Sequence, residues 1–270
     1  MLTIKDLKMV VINVSNVCNL KCPYCPNRED SFKKSNLYYG DYMSIKTIKK
    51  IKESLDKIDY KGEVSITGFG EPLLNPHICE ICEIMGKYKP NLLTNGTIIY
   101  DGFENYAIIK EKTHPIVTLH NEEAYGRKYS LKALEGYFWL LEWQDGFEIR
   151  NHNTNDENNT LIANNRGGLL DDIKSTPKRH CYYPFYEVFI DIDGSYLVCA
   201  HDWGRRSRMK RVDIYHMDIE EYFLDKYSPI QVYREEIKND HRDMIIPCRL
   251  CNADGEIEGE KEYNHYCTQE

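Results

Sequence analysis

Short apolar runs and stretches with helical spacing alternate along roughly the first 150 residues. Runs that are apolar or β-branched for four to six positions predict buried strands, and they cover residues 10–14, 63–67, 91–94, 114–119 and 147–150. Apolar residues at helical spacing predict helices between these strands, over residues 45–58, 76–88 and 130–143. Strands that alternate with helices at this pitch form right-handed βαβ units, so the pattern predicts an α/β fold with a parallel sheet.

The pattern changes in the second half of the chain. Residues 151–159 are rich in asparagine and cannot pack a core, so we expect a surface loop or a boundary region there. Beyond it, Asp193-Gly194 lies between two strand-like runs and is a strong hairpin signal. The elements predicted in this part are two strands and a helix, at residues 187–192, 195–199 and 219–238. We therefore divide the chain into an α/β domain, residues 1–176, and a small hairpin-plus-helix module, residues 177–270.

Composition and charge exclude several classes of function. The net charge is −8 and the isoelectric point is about 5.7, so we expect no nucleic-acid partner. The basic run 205–211 is a local exception, which we interpret as a solvated loop beside a metal site. No apolar run is long enough to cross a bilayer and the N-terminus does not resemble a signal peptide, so we expect a cytoplasmic protein without a membrane partner. Ten cysteines without an export signal favour metal ligation over disulfides.

Three cysteines follow the first predicted strand at a C-x3-C-x2-C spacing: Cys18, Cys22 and Cys25. Zinc sites built on one short loop usually offer pairs of ligands that a distant pair completes. Three thiolates on one loop instead suit a cubane cluster in which the fourth iron stays open. The spacing resembles the signature of the radical S-adenosylmethionine (SAM) enzymes. That resemblance implies a 4Fe–4S cluster on the three cysteines, SAM chelated at the open iron, and Tyr24 against the adenine of SAM.

The second motif is Gly70-Glu71-Pro72, at the end of the second predicted strand. A glycine lets the backbone approach a ligand closely, and a carboxylate accepts hydrogen bonds from an ammonium group. In the radical SAM family a Gly-Gly-Glu-Pro segment occupies this place and holds the amino group of SAM. Here the segment is Gly-Phe-Gly-Glu-Pro, so the resemblance assigns SAM binding to Gly70, Glu71 and Pro72.

Polar residues also follow or end the later strands of the predicted sheet. Active sites of βα barrels gather at the carboxyl ends of their strands, and Asn95, Thr118 and Arg150 lie at such ends. The resemblance implies a partial (β/α)6 TIM-like barrel in which these side chains contact the ribose or the carboxylate of SAM. Each has a plainer interpretation, since Asn95-Gly96 is also a turn sequence and Thr118 also suits an ordinary strand.

Four more cysteines lie in the second half of the chain, at a C-x17-C-x48-C-x2-C spacing: Cys181, Cys199, Cys248 and Cys251. Four thiolates complete either a tetrahedral zinc site or a 4Fe–4S cubane, and the spacing does not distinguish the two. The segments 180–184, 190–194, 198–203 and 248–252 are similar to the SPASM/twitch extension of radical SAM proteins. The shorter twitch form carries one auxiliary 4Fe–4S cluster, and full SPASM domains carry two. Only one cysteine, Cys267, follows Cys251, which favours the twitch form.

Three cysteines remain after these two sets. Cys79 and Cys82 lie in an apolar stretch with helical spacing, and we interpret them as core residues because a buried free cysteine behaves as a small hydrophobe. Cys267 is three residues from the end, and we interpret it as inert. The alternative is a catalytic thiol that returns a hydrogen atom to a substrate radical.

The resemblance also implies a reaction. A reduced cluster cleaves SAM to methionine and a 5′-deoxyadenosyl radical, which abstracts a hydrogen atom from the substrate. A flavodoxin- or ferredoxin-type donor supplies the electron. If four thiolates saturate the auxiliary cluster, its role is electron transfer, which favours two-electron oxidation, as in the twitch-type aminocyclitol dehydrogenases that oxidise an alcohol to a ketone. Arg166 is the candidate for contact with the substrate.

Two other functions stay open at this stage. One is modification of a ribosomally made peptide by epimerisation, crosslinking or thioether formation, so the substrate is either a small molecule or a peptide. The other is a non-catalytic metal-binding interaction protein, against which Gly70-Glu71-Pro72 argues because such a protein needs no site for the amino group of SAM.

Overall fold

A computed structural model describes residues 2–23, 25–28, 32, 40–120, 122–145, 148–151, 165–170, 180–253 and 259–268. Its centre is one open sheet with the strand order β5-β4-β3-β2-β1-β6-β7. The strands are β1 (Met9–Asn13), β2 (Glu63–Thr67), β3 (Asn91–Thr94), β4 (His114–Leu119), β5 (Glu148–Asn151), β6 (Glu187–Ile190) and β7 (Tyr196–Leu197). Neighbouring strands are parallel from β5 through β6, and only β7 is antiparallel. The predicted parallel sheet of an unclosed barrel is thereby confirmed.

Ten α-helices accompany the strands in the described residues. They are α1 (Ile45–Lys57), α2 (Ile78–Met85), α3 (Thr97–Tyr100), α4 (Tyr106–Lys112), α5 (Glu122–Tyr125), α6 (Leu131–Asp145), α7 (Tyr183–Tyr186), α8 (Ile219–Leu224), α9 (Pro229–Lys238) and α10 (Glu260–Cys267). Helix α1 shows why the apolar spacing predicted them: Ile48, Ile51 and Leu55 lie on one face and are fully buried. Its first turn is closed by Ser44, whose hydroxyl accepts a hydrogen bond from the Thr47 amide at 3.2 Å.

Helix α2 contains two of the cysteines that were assigned to neither thiol set. Cys82 is fully buried within the main core, and burial raises the pKa of its thiol to about 12. Cys79 is half-buried and packs against the same core. The interpretation of both as core residues is confirmed. In the part of the chain that the structure describes, no helix is both long and apolar enough to span a membrane.

The sixth parallel strand comes from the predicted hairpin and not from a further βα unit. Strand β6 pairs with β1, with Val10 opposite Val188 and Ile12 opposite Ile190, so the hairpin extends the main sheet at its other end. All four residues of β6 are buried, as expected for a parallel strand that is covered on both faces. The predicted boundary between residues 176 and 177 lies outside the described residues, and the division into two domains stays a prediction.

The single helix predicted over residues 219–238 is wrong, because α8 ends at Leu224 and α9 begins at Pro229. Proline has no amide hydrogen to donate and disfavours helical backbone in the residue before it. Ser228 accordingly has extended dihedral angles (φ −63°, ψ 140°). Pro229 is at the first turn of its own helix, where a missing amide hydrogen costs nothing.

Candidate active site

The segment after β2 packs directly on the peptide that leads into the cysteine loop, residues 18–25. The Glu71 amide donates a hydrogen bond to the Val17 carbonyl at 2.8 Å. A Cβ on Gly70 would lie 2.4 Å from the same carbonyl oxygen, so only glycine fits this approach. Pro72 begins a short 3-10 helix, Pro72–Leu74, that carries the chain away from this edge. The first two motifs are therefore in contact at the carboxyl edge of the sheet.

The Glu71 carboxylate is buried and fixes the end of β2 to the end of β3. One oxygen accepts hydrogen bonds from the Leu73 amide at 3.1 Å and the Thr94 hydroxyl at 2.7 Å. The other accepts from the Asn95 amide at 2.8 Å. Burial raises the pKa of Glu71, although the three donors oppose that shift. The carboxylate thus organises the carboxyl edge, and its bond to the amino group of SAM stays a prediction.

Asn95 and two residues that the sequence analysis missed attach the cysteine loop to β3. The Asn95 side-chain amide donates a hydrogen bond to the side-chain oxygen of Asn19 at 3.0 Å. The side-chain nitrogen of Asn19 donates in turn to the Thr97 hydroxyl at 2.7 Å, and that hydroxyl donates to the side-chain oxygen of Asn95 at 2.7 Å. Asn19 directly follows Cys18, so this closed network holds the loop where its first thiol begins. No periodicity or motif spacing distinguished Asn19 or Thr97 in advance.

The thiols of the cysteine loop form no disulfide and lie at the carboxyl edge. Cys22 is buried, while Cys18 and Cys25 are half-buried. The Leu20 amide lies 3.5 Å from the Cys18 sulfur. The three thiols lie on one loop that hydrogen bonds hold in place. They fit the donor set of a cubane with one open iron.

Tyr125 of α5 is a further residue at this edge that the sequence analysis did not identify. Burial raises the pKa of its phenol, and the nearby charges of Cys22 and Glu71 raise it further. Its hydroxyl accepts a hydrogen bond from the His120 amide at 3.0 Å. The phenol therefore stays protonated and lies close to both motifs.

The remaining predicted SAM contacts are only partly within the described residues. Thr118 and Arg150 are opposite each other in the pairing of β4 with β5, near the carboxyl ends of both strands. Thr118 is buried. Tyr24 and the side chain of Arg150 lie outside the described residues. The assignment of all three to SAM stays a prediction.

A buried polar network connects β1 to β6 behind the cysteine loop. The Arg205 guanidinium donates to the Asp191 carboxylate at 2.5 Å and to the Asn16 side chain at 3.0 Å. Asn13 donates to the same Asp191 carboxylate at 2.7 Å. The basic run 205–211 was predicted to be a solvated loop, and for Arg205 that is wrong because its side chain is buried against this carboxylate.

An aromatic cluster covers this network, and Arg166 borders it. Phe69 lies between Gly68 and Gly70, just after β2, and its ring centroid is 4.4 Å from that of Trp203. The Arg166 guanidinium lies 5.9 Å from the Trp203 ring, and the Arg205 guanidinium 4.9 Å from the Phe69 ring. Arg166 has a left-handed backbone (φ 53°) within a turn. It therefore approaches the segment after Cys199, and its contact with the substrate stays a prediction.

The C-terminal thiol set, Cys181, Cys199, Cys248 and Cys251, is buried as a group and forms no disulfide. Burial raises the pKa of Cys199 far above its usual value, and the charges of the other three thiols raise it further, so all four interact. The Ala253 amide lies 3.4 Å from the Cys251 sulfur. Within the described ranges, no three His, Cys, Asp or Glu side chains are already arranged to hold a metal ion. Four interacting buried thiols fit the donor chemistry of an iron–sulfur cluster.

One buried and one half-buried titratable group, Glu187 and His201, adjoin this thiol set. Burial raises the pKa of Glu187 to about 7, and its carboxylate accepts a hydrogen bond from the Ala200 amide at 3.0 Å. Burial and the charges of Arg166 and Arg242 lower the pKa of His201 to about 3. One His201 nitrogen lies 2.9 Å from the Tyr183 hydroxyl. The imidazole is therefore neutral at physiological pH.

Cys267 is the last residue of α10 and lies apart from the cysteine loop. Its thiol forms a hydrogen bond with Tyr263, and its charged neighbours are Lys238 and Glu235 of α9. Burial raises its pKa, so the thiol is protonated at neutral pH. None of these neighbours belongs to the carboxyl edge of the sheet, which supports the interpretation of Cys267 as inert; its catalytic role stays untested.

Comparison with known proteins gives three findings. Residues 12–124 match the sequence profile of the Radical SAM superfamily. The chain is 26% identical, over 268 residues, to the "S-adenosyl-L-methionine-dependent 2-deoxy-scyllo-inosamine dehydrogenase" of Niallia circulans. The aligned residues cover 97% of this chain and 98% of that protein. Among solved structures, BtrN in complex with AdoMet and 2-DOIA has a TM-score of 0.71 at 23% identity, with 91% of this chain and 93% of BtrN covered.

A second BtrN structure, in an open conformation, has a TM-score of 0.63 at 19% identity and covers 95% of this chain and 97% of that one. The likeness extends along nearly the whole chain and is not limited to the first domain. In fold, therefore, this chain is similar to BtrN from the first strand to the C-terminal helices.

Proposed function

This chain contains a radical SAM domain, and from that premise we propose that it is a dehydrogenase that oxidises an alcohol of a small polar substrate to a ketone. When bound, SAM and the first cluster supply a 5′-deoxyadenosyl radical that takes a hydrogen atom from the substrate, and an auxiliary cluster accepts the second electron. The residues that would hold the first cluster are Cys18, Cys22 and Cys25. A flavodoxin- or ferredoxin-type protein would supply the reducing electron.

The observation that carries this proposal is the second thiol set. If all four buried thiols bind a cubane, they saturate it, and a cluster there offers no open iron to a substrate. Such a cluster suits outer-sphere electron transfer, which a net two-electron oxidation requires and a redox-neutral reaction does not. We identify the set with the auxiliary 4Fe–4S cluster of a twitch-type module.

The two thiol sets are also joined through the fold. The cysteine loop follows β1, and Cys199 follows the hairpin whose first strand pairs with β1. The contacts of Arg205 with Asp191 and Asn16 join the two segments through side chains. A buried network therefore joins the segments of the two thiol sets.

The relative from Niallia circulans supports the reaction and the class of substrate. Its name assigns it the dehydrogenation of 2-deoxy-scyllo-inosamine, and the similarity covers both chains almost completely. We therefore propose an aminocyclitol or a similar polyhydroxylated ring as substrate, with Arg166 at its edge. Peptide modification and non-catalytic metal binding are not favoured by this similarity.

The test is iron and sulfide content with EPR on anaerobically purified protein. We expect about eight irons per chain in the wild type and about four in the Cys18→Ala/Cys22→Ala/Cys25→Ala variant. The matched control is Cys79→Ala/Cys82→Ala, which should keep about eight irons because both thiols belong to the core. About four irons in the wild type, falling to none in the triple variant, would remove the electron acceptor and contradict the proposal.

Activity is then assayed by incubation of wild-type protein with SAM, dithionite and 2-deoxy-scyllo-inosamine. The proposal expects 5′-deoxyadenosine and a ketone in equal amounts. Formation of 5′-deoxyadenosine without any oxidised product, across a panel of cyclitols, would overturn the assignment to dehydrogenation.

A further inference from the structure

One buried guanidinium, that of Arg242, connects two of the three peptide segments that carry the C-terminal thiol set. Its side chain donates to the His180 carbonyl at 2.8 Å, and His180 directly precedes Cys181. It also donates to the carbonyl of Cys251 at 3.0 Å and to that of Ala253. Arg242 itself lies six residues before Cys248 in the sequence. A single planar group thus joins two of the three peptide segments of the set, the one that begins at Cys181 and the one that contains Cys248 and Cys251.

The shape of the side chain explains why arginine is needed for these bonds. A guanidinium has five N–H donors in a rigid fork, so it reaches carbonyls on two sides at once. A lysine ammonium carries the same charge on a flexible stem and is a single point. Lysine could retain the charge at position 242, but it could not hold the carbonyls of His180 and Cys251 together.

The charge of Arg242 also acts on the thiols. The guanidinium donates to the carbonyl of Cys251 itself at 3.0 Å, so its positive charge lies beside the thiol set. A positive charge beside a thiolate-ligated cluster favours the state with the additional electron.

We propose that Arg242 is the positioning residue of the auxiliary cluster: it fixes the separation of the cysteine segments and raises the reduction potential of the cluster. This inference rests on the proposed function, since it assumes a 4Fe–4S cluster on the C-terminal thiol set. Its two parts, positioning and potential, can be tested separately. The hydrogen bonds require the planar guanidinium, whereas the effect on the reduction potential requires only a positive charge. In the reaction, a higher potential favours transfer of the second electron from the substrate.

The experiment uses the full chain with Arg242→Lys and Arg242→Met, each made in the wild type and in the Cys18→Ala/Cys22→Ala/Cys25→Ala background. In that background the auxiliary cluster is the only one, so its signals are unmixed. Iron release to a chelator measures positioning, and an EPR-monitored redox titration measures the potential. Both substitutions should release iron at least tenfold faster. Only Arg242→Met should make reduction of the auxiliary cluster tenfold less favourable, which lowers its reduction potential by about 59 mV for one electron.

Arg234 provides the matched control. It is also fully buried and donates to two backbone carbonyls, those of Pro184 at 2.7 Å and Phe223 at 2.6 Å. The titratable side chains that act on it are the phenols of Tyr222 and Tyr266 and the carboxylate of Asp6. Arg234→Lys and Arg234→Met should lower the stability of the fold but leave the auxiliary potential unchanged.

The outcomes separate this inference from the proposed function. A wild type with about eight irons whose Arg242 variants match it in iron release and potential would overturn the inference alone. Equal shifts in the Arg234 variants would also overturn it, because the effect would then come from general loss of stability. A wild type with no auxiliary cluster would contradict the proposed function itself, and the inference with it.

Discussion

The Arg205 guanidinium and the Asp191 carboxylate form a buried ion pair, with Nε and Oδ2 2.5 Å apart. Asp191 directly follows β6, whereas Arg205 comes from the loop after Cys199. The same guanidinium donates to Asn16, two residues before Cys18. One pair therefore fixes the start of the cysteine loop relative to the loop of the second thiol set.

Loss of one partner of this pair should destabilise the protein strongly. Asp191→Asn leaves the charge of Arg205 buried without its carboxylate, which costs about 3–5 kcal/mol. Urea unfolding under anaerobic conditions measures this, and Asp191→Asn/Arg205→Met should recover part of the loss. The control is Asp59→Asn, which breaks an exposed pair with Lys61 and should leave the stability almost unchanged. Similar losses for the two single variants would show that the buried pair is unimportant.

Asn95 should affect SAM binding through the cysteine loop. Asn95→Ala removes the bond to Asn19 and the acceptor for Thr97, so the loop is ordered less well before SAM binds. Loss of about 1.4 kcal/mol corresponds to about tenfold weaker binding. Calorimetric titration of the reconstituted protein with SAM measures it. Asn91→Ala is the control, since Asn91 lies at the opposite end of β3 and bonds Glu63. Unchanged SAM affinity in Asn95→Ala would refute the role of this network.

The raised pKa of Glu71 predicts that the stability of the fold depends on pH. Its pKa is raised in the folded protein by burial, so the folded state retains the proton in a range where the unfolded state has lost it. Because the folded state then binds more protons, its stability falls as the pH rises through the window between the two pKa values. Glu71→Gln cannot titrate at this position and should make the slope shallower, while the part that comes from Glu187 remains.

The measurement for Glu71 is urea unfolding of the apoprotein from pH 4 to pH 8, wild type beside Glu71→Gln. The expected difference is a decline with rising pH that is steeper in the wild type than in Glu71→Gln. Glu63→Gln is the control, because Glu63 is exposed at the start of β2. A wild type whose stability rises across this range would contradict the assignment.

Local pattern was enough to predict most of the sheet, because burial on both faces selects continuous apolar runs. The bounds of β2, β3 and β4 agree with residues 63–67, 91–94 and 114–119. The pairing of β6 with β1 was not predictable in this way. Those strands are far apart in the sequence, and an apolar run does not specify which strand it will neighbour.

The polar interior of the candidate site shows the same limit. The motif spacing identified Gly70 and Glu71, whose contacts with Val17 and Thr94 lie at the expected edge. Arg205 was misjudged because its sequence neighbours are basic, and only the fold brings it to Asp191. A charged residue can be buried when a distant carboxylate neutralises it, and composition does not contain that information.

Gly70 gives the most direct test of the contact between the two motifs. A Cβ there would lie 2.4 Å from the Val17 carbonyl oxygen, which is backbone and cannot rotate away. Gly70→Ala should therefore displace Val17 and the first thiol, at a cost of about 1–3 kcal/mol in unfolding free energy. SAM affinity should fall with it.

The matched control for Gly70→Ala is Gly136→Ala in α6. A Cβ on Gly136 meets no atom within 4 Å, and alanine is the better helix former by about 0.5–1 kcal/mol. The same substitution should thus stabilise the protein at position 136 and destabilise it at position 70. Thermal unfolding and SAM titration of both variants decide the matter. If Gly70→Ala bound SAM as tightly as Gly136→Ala does, the close approach of Gly70 to the cysteine loop would have no role in the site.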